Sequence, residues 1–122
     1  MEDFRNEYCM HTATCGQLRA TDVNQEVTLA GWAWHTRDHG GLIFIDLRDR
    51  EGYTQVVVDP DCVSAEDFHA AEHLGREYVL KVTGRVRERA PEAVNPNMIT
   101  GEIEVLASAV EVLNTSVTPP FS

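Results

Sequence analysis

Residues 42–59 read LIFIDLRDREGYTQVVVD, and the architecture of the whole chain turns on them. In Leu42–Asp49 the apolar Ile43, Ile45 and Leu47 alternate with Phe44, Asp46 and Arg48, the two-residue period of a strand with one dry and one wet face. Arg50-Glu51-Gly52 supplies a turn, and Tyr53–Asp59 is a second run rich in β-branched residues. Two such runs joined by a short connection carrying glycine predict a hairpin. The set Ile43, Ile45, Leu47 is the expected core, which leaves the Phe44 ring facing outward among polar neighbours.

Outward from this hairpin the pattern extends both ways. Residues 25–37 (QEVTLAGWAWHTR) predict a long strand, separated from Leu42 by a loop at Gly40-Gly41. Downstream the period changes. Ser64 is a natural helix N-cap, Glu66 and Asp67 follow where the helix dipole favours acids, and Phe68, Ala71 and Leu74 recur at helical spacing. Residues 77–89 alternate again, with Tyr78, Leu80, Val82 and Val86 set against Lys81, Thr83, Arg85, Arg87 and Arg89. A Pro/Asn-rich loop (APEAVNPNMITG) leads to a last strand over 101–113. Three strands, a helix and two strands make an all-β chain, and the order is that of a five-stranded Greek-key barrel of the OB type, with a short helix between strands 3 and 4. The expected domains are an N-terminal tail (1–16), the barrel (17–113) and an extended linker (114–122) containing Pro119-Pro120.

Composition narrows the function classes. One domain is the expectation for 122 residues, 43% hydrophobic and 25% charged, and no apolar run approaches the ~20 residues of a membrane-spanning helix. The first twenty residues carry no basic-then-apolar leader, so the expected compartment is the cytoplasm. Cys9, Cys15 and Cys62 have no paired spacing, and reduced thiols are expected; Cys9, His11 and Cys15 lack the second ligand pair of a structural zinc site. Ten basic residues face twenty acidic ones, a net charge of −10, which argues against binding nucleic acid by bulk attraction. Yet eight of those ten lie between Arg37 and Arg89, and nine are arginine, whose planar fork suits phosphates and base edges. A local basic face on an acidic body is compatible with both facts.

Strand parity nominates the side chains of that face. An outward Phe44 on an OB strand can stack a base, although single exposed apolar residues are also ordinary. Gln55 shares the outward parity and can donate and accept at a base edge, although on pattern alone a solvated strand residue is the favoured reading. Arg85, Arg87 and Arg89 form a stripe suited to a phosphate backbone or to a solvated face balanced by acids. Glu102 and Glu104 oppose Ile103 and Val105; a carboxylate can read a base N–H, but exposed glutamates more often serve solubility, and that is the reading the pattern favours. Trp34 sits where a long barrel strand must curl, so alternation does not assign its side. His69-Ala70-Ala71-Glu72-His73 matches a zinc-peptidase pattern, but no convincing third ligand follows it, and a surface helix is the expectation. Asn114-Thr115-Ser116 is a glycosylation acceptor by pattern, without a leader to make it one. No fingerprint of a nucleophile elbow, phosphate loop or dinucleotide site occurs, so the chain alone is expected to be non-catalytic, with no metal and no cofactor.

Longer runs carry a resemblance. Gly31-Trp32, the stretch RDHGGLIFIDLRDREG from Arg37 to Gly52, Gln55-Val56-Val57, Val82-Thr83-Gly84-Arg85-Val86-Arg87, Asn95-Pro96-Asn97, Thr100–Leu106 and Thr118-Pro119-Pro120-Phe121 resemble the N-terminal anticodon-binding domain of bacterial aspartyl-tRNA synthetases over residues 15–121. The run 37–52 sets it apart from lysyl and asparaginyl relatives of the same fold. The resemblance implies that Phe44 stacks on the middle anticodon uridine of aspartate tRNA and Gln55 bonds that base. It implies that Arg37 reaches the anticodon, that Glu104 reads its first base, and that Arg87 and Arg89 meet the backbone or third base. Trp34, His39 and Arg85 are secondary candidates. Relatives carry basic residues just before Arg37, where Trp34-His35-Thr36 stand here. The implied parent is a class II, homodimeric aspartate–tRNA ligase using ATP and Mg2+ in a catalytic domain beyond residue 122. The alternative is a freestanding OB module for protein or other single-stranded nucleic acid.

Overall fold

In a computed structural model, which describes residues 15–74, 78–98 and 100–114, the chain forms one closed barrel. Cys9, His11, the glycosylation pattern and the expected linker after Asn114 lie outside the described residues. The strands are β1 (Glu26–His39), β2 (Leu42–Asp49), β3 (Gly52–Val58), β4 (Val79–Glu88) and β5 (Ile103–Asn114), and helix α1 (Ala65–Glu72) joins β3 to β4. Around the barrel the order is β1-β2-β3-β5-β4 and back to β1, antiparallel except where β3 meets β5. This is the expected five-stranded OB arrangement with its helix in the expected place.

Local chemistry explains the corners. Between β1 and β2, His39 pairs with Leu42, and the two residues between them, Gly40 and Gly41, both take positive φ (63° and 84°). A two-residue turn of that hand fits the twist of its strands and needs residues without a Cβ penalty. Further along β1, Ala33 pairs with Leu47 and His35 with Asp46, so Trp34 is the extra residue of a bulge. A second bulge lies where Gly84 of β4 faces Ala107, and a Cβ on Gly84 would stand 2.4 Å from the Leu106 carbonyl oxygen. The strands bend there because nothing but hydrogen fits between their backbones.

The core is the inward face of every strand. Leu29, Ile45, Leu47, Leu80 and Ile103 are its largest fully buried side chains, with Ile43 beside them. Burying each such chain contributes roughly 1.5–3 kcal/mol. Ser64 caps α1 by accepting the Asp67 N–H at 3.1 Å. Ala71 is buried, Phe68 and Leu74 pack on the core, and the Asp67 carboxylate accepts the Val110 N–H of β5 at 3.0 Å. The helix is thereby tied to the barrel. Cys15, which falls in the expected N-terminal tail, is fully buried: its N–H donates to Asp49 at 2.8 Å and the Thr54 hydroxyl donates to its carbonyl. Burial, with Asp49 nearby, pushes its thiol pKa far up.

Candidate nucleic-acid interface

Residues directly opposed on neighbouring strands project from the same face, so the register fixes the outer surface of β1, β2, β3 and β5. One row runs Arg37, Phe44, Val57, Leu106; the next runs His35, Asp46, Gln55 and then, across β5 and β4, Glu104 and Arg87. Phe44 is half-buried on this face while Ile43 and Ile45 point into the core. The ring therefore points away from the barrel interior.

The polar groups beside it form a chain of hydrogen bonds. Arg37 Nη2 donates to Gln55 Oε1 at 3.2 Å, Gln55 Nε2 donates to Glu104 Oε1 at 2.8 Å, and Arg87 Nε donates to Glu104 Oε2 at 2.8 Å. The Arg37 guanidinium also lies over the Phe44 ring, 5.0 Å from its centroid. Gln55 and Glu104 are 5% and 8% exposed, so neither is the freely solvated side chain that strand parity alone allows. These residues, with His39, Arg89, Ala90 and Ala93, surround a depression of about 380 Å³, within the range of roughly 300–1,000 Å³ usual for small-ligand sites. Three guanidiniums stand there against the Glu104 carboxylate, a locally positive site on a chain of net charge −10.

Arg89 differs from its neighbours in the stripe. It is 8% exposed, and it donates from Nε to the Ile103 carbonyl (2.9 Å), from Nη1 to the Ala93 carbonyl (3.3 Å) and from Nη2 to Met98 Sδ (3.4 Å). Desolvation lowers its pKa, opposed by the carboxylates of Glu104 and Asp46. Its work is to pin the loop after β4, including the Pro91–Ala93 turn, against β5, so that Ala90 and Ala93 wall the depression.

The nine sequence candidates thus divide. Arg37, His39, Phe44, Gln55, Arg87, Arg89 and Glu104 come together around one depression. Arg85 is exposed and lines a separate one with Glu26 and Cys62. Trp34 also stands apart: its ring carries the Arg48 guanidinium at 4.8 Å and meets His35 edge-on at 5.5 Å. The sequence reading overlooked Arg48, whose outward parity with Phe44 was the available signal. It also overlooked Ala90 and Ala93, which only the closure of the loop brings in.

Comparison with known proteins follows the same geometry. The family model describing the OB-fold nucleic acid binding domain of the tRNA anti-codon type matches residues 27–113. Among solved structures, the asparaginyl-tRNA synthetase of Pyrococcus horikoshii complexed with asparaginyl-adenylate is 30% identical with a TM-score of 0.74, over 88% of this chain and 23% of that one. The aspartyl tRNA synthetase of Entamoeba histolytica shares the fold at 19% identity and a TM-score of 0.71, over 83% of this chain and 21% of that one. An OBody bound to hen egg-white lysozyme aligns at 25% identity and a TM-score of 0.73, over 87% of this chain and 97% of that one. The chain therefore spans about a quarter of the synthetases it is similar to.

Proposed function

The chain belongs to the tRNA anticodon-binding family of OB-fold nucleic acid binding domains, and from that premise we propose that it holds the anticodon loop of aspartate tRNA as the N-terminal domain of an aspartate–tRNA ligase. The observation that carries this reading is the outward Phe44 ring beside the Arg37–Gln55–Glu104–Arg87 chain. Single-stranded loops are recognised by splaying bases onto aromatic rings and bonding their exposed edges. Phe44 offers the stacking surface for the middle uridine, worth ~1–3 kcal/mol. The second N–H and the second lone pair of the Gln55 amide match the carbonyl and N–H of a uracil edge. The Glu104 carboxylate suits the N–H donors of a guanine edge at the first position, while Arg37 and Arg87 balance its charge and reach phosphate.

Support for aspartate over asparagine comes from the resemblance carried by the run Arg37–Gly52. In this reading the full-length protein is a cytoplasmic homodimer. Its catalytic domain, outside this chain, uses ATP and Mg2+ to attach aspartate, and no group described here takes part in that chemistry.

The test is titration of three anticodon stem-loops, GUC, GCC and GUU, into the chain and its Phe44→Ala variant. We expect GUC to bind best, with tenfold or greater losses for GCC and for Phe44→Ala. Undiminished binding by Phe44→Ala overturns the stacking reading, equal binding of GUC and GCC overturns the reading of the middle base by Gln55, and tighter binding of GUU than of GUC overturns the aspartate assignment.

A further inference from the structure

On the exposed side of α1, His69, Glu72 and His73 stand together, one possible ligand atom of each lying within 4.8 Å of the others, and Glu72 also borders a depression that it shares with Arg37. The geometry points to a surface site for a divalent transition-metal ion, held by the two imidazoles and the carboxylate, with water completing the shell. Three features favour it. First, residues three and four apart on a helix share a face, and the two rings already lie with centroids 4.3 Å apart. Second, His73 Nδ1 lies 2.9 Å from the His69 carbonyl oxygen, which can only accept. That bond fixes the proton on Nδ1 and leaves the Nε2 lone pair for a metal, the arrangement by which ligating histidines are usually oriented. Third, all three side chains are exposed, so small rotations can close the set to the ~3.3 Å ligand separations implied by bonds of ~2.0–2.2 Å.

The two imidazoles suit zinc and its first-row neighbours, and a single carboxylate falls short of the oxygen-rich shell that calcium or magnesium takes. The described thiols do not compete equally: Cys15 is buried and held protonated, whereas Cys62 is exposed. Such an ion would cross-link the last turns of a helix of eight residues that packs on the barrel through Ala71 and Phe68.

Zn2+ is the probe, titrated calorimetrically into the chain carrying Cys9→Ser and Cys62→Ser. One saturable equivalent at micromolar affinity is expected, weakened tenfold or more by His69→Gln or His73→Gln and several-fold by Glu72→Gln, with circular dichroism unchanged. In 15N spectra, Zn2+ should move the His73 Nε2 resonance while Nδ1 keeps its proton. Absence of saturable binding, or undiminished binding in the His69→Gln/His73→Gln double variant, overturns the site.

Discussion

Gln55 shows how much a single side chain can be determined by its partners. Arginine only donates and an ionised glutamate only accepts, so Arg37 and Glu104 together leave the Gln55 amide one orientation. The face a ligand meets is therefore set before it arrives, and less ordering remains to be done on binding. Cys15 is determined differently, by exclusion of its charged form. Its folded pKa is raised above the unfolded value of ~8.5, so the thiol favours folding at neutral pH, and this contribution fades as unfolded chains begin to ionise. Unfolding free energy measured by urea titration should decline above about pH 8.5 with a slope of up to ~1.4 kcal/mol per pH unit from this group. Cys15→Ala should remove that component of the slope. Arg89 marks the limit of reading side chains from alternation. The pattern puts it outward with Arg85 and Arg87, but β4 ends at Glu88, and one residue past a strand its period no longer assigns a side. The guanidinium turns under the loop instead.

At the scale of elements, bulges decide what alternation cannot. β2 was legible to its end residues, Leu42 and Asp49, because its period is unbroken and turn residues bound it on both sides. α1 was legible at its start from Ser64 and along its length from the Phe68, Ala71, Leu74 spacing, though it ends at Glu72, two residues before Leu74. In β1 the extra residue at Trp34 resets the parity, and an inserted residue leaves no mark in composition; this is why Trp34 and His35 both stand away from the core while Ala33 is buried. The bulge at Gly84 has an energetic consequence. A methyl group there would overlap the Leu106 carbonyl oxygen and the Val105 side chain, at 2.4 and 2.8 Å, on the strand that carries Glu104. Overpacking of this kind costs about 1–3 kcal/mol. Gly84→Ala should lower the urea midpoint accordingly, and by shifting β5 against β4 it should also weaken stem-loop binding.

For the whole molecule, the distribution of charge matters more than its sum. A body of net charge −10 repels a polyanion, while the site itself gathers Arg37, Arg87 and Arg89 around one carboxylate. With Arg89 committed to the loop, Arg37 and Arg87 are the two guanidiniums that can reach phosphate, and about two phosphates' worth of neutralisation is the expectation. That gives a shallow slope of log affinity against log salt, ~−1.4 for a single strand. Raising salt from 50 to 200 mM should therefore weaken stem-loop binding roughly 5- to 10-fold; a much steeper loss would mean cationic contacts beyond the depression. Recognition then rests on ring and amide more than on attraction between charges. The order of the strands adds a temporal dimension. β5 is last in the sequence yet sits between β3 and β4, so it is the keystone of the ring. Until residue 114 has emerged from the ribosome the ring cannot close, because the order β4-β1-β2-β3 lacks the strand that joins β3 to β4. Closure thus waits on the final strand, and a net charge of −10 opposes pairing between the open margins of two unfinished chains.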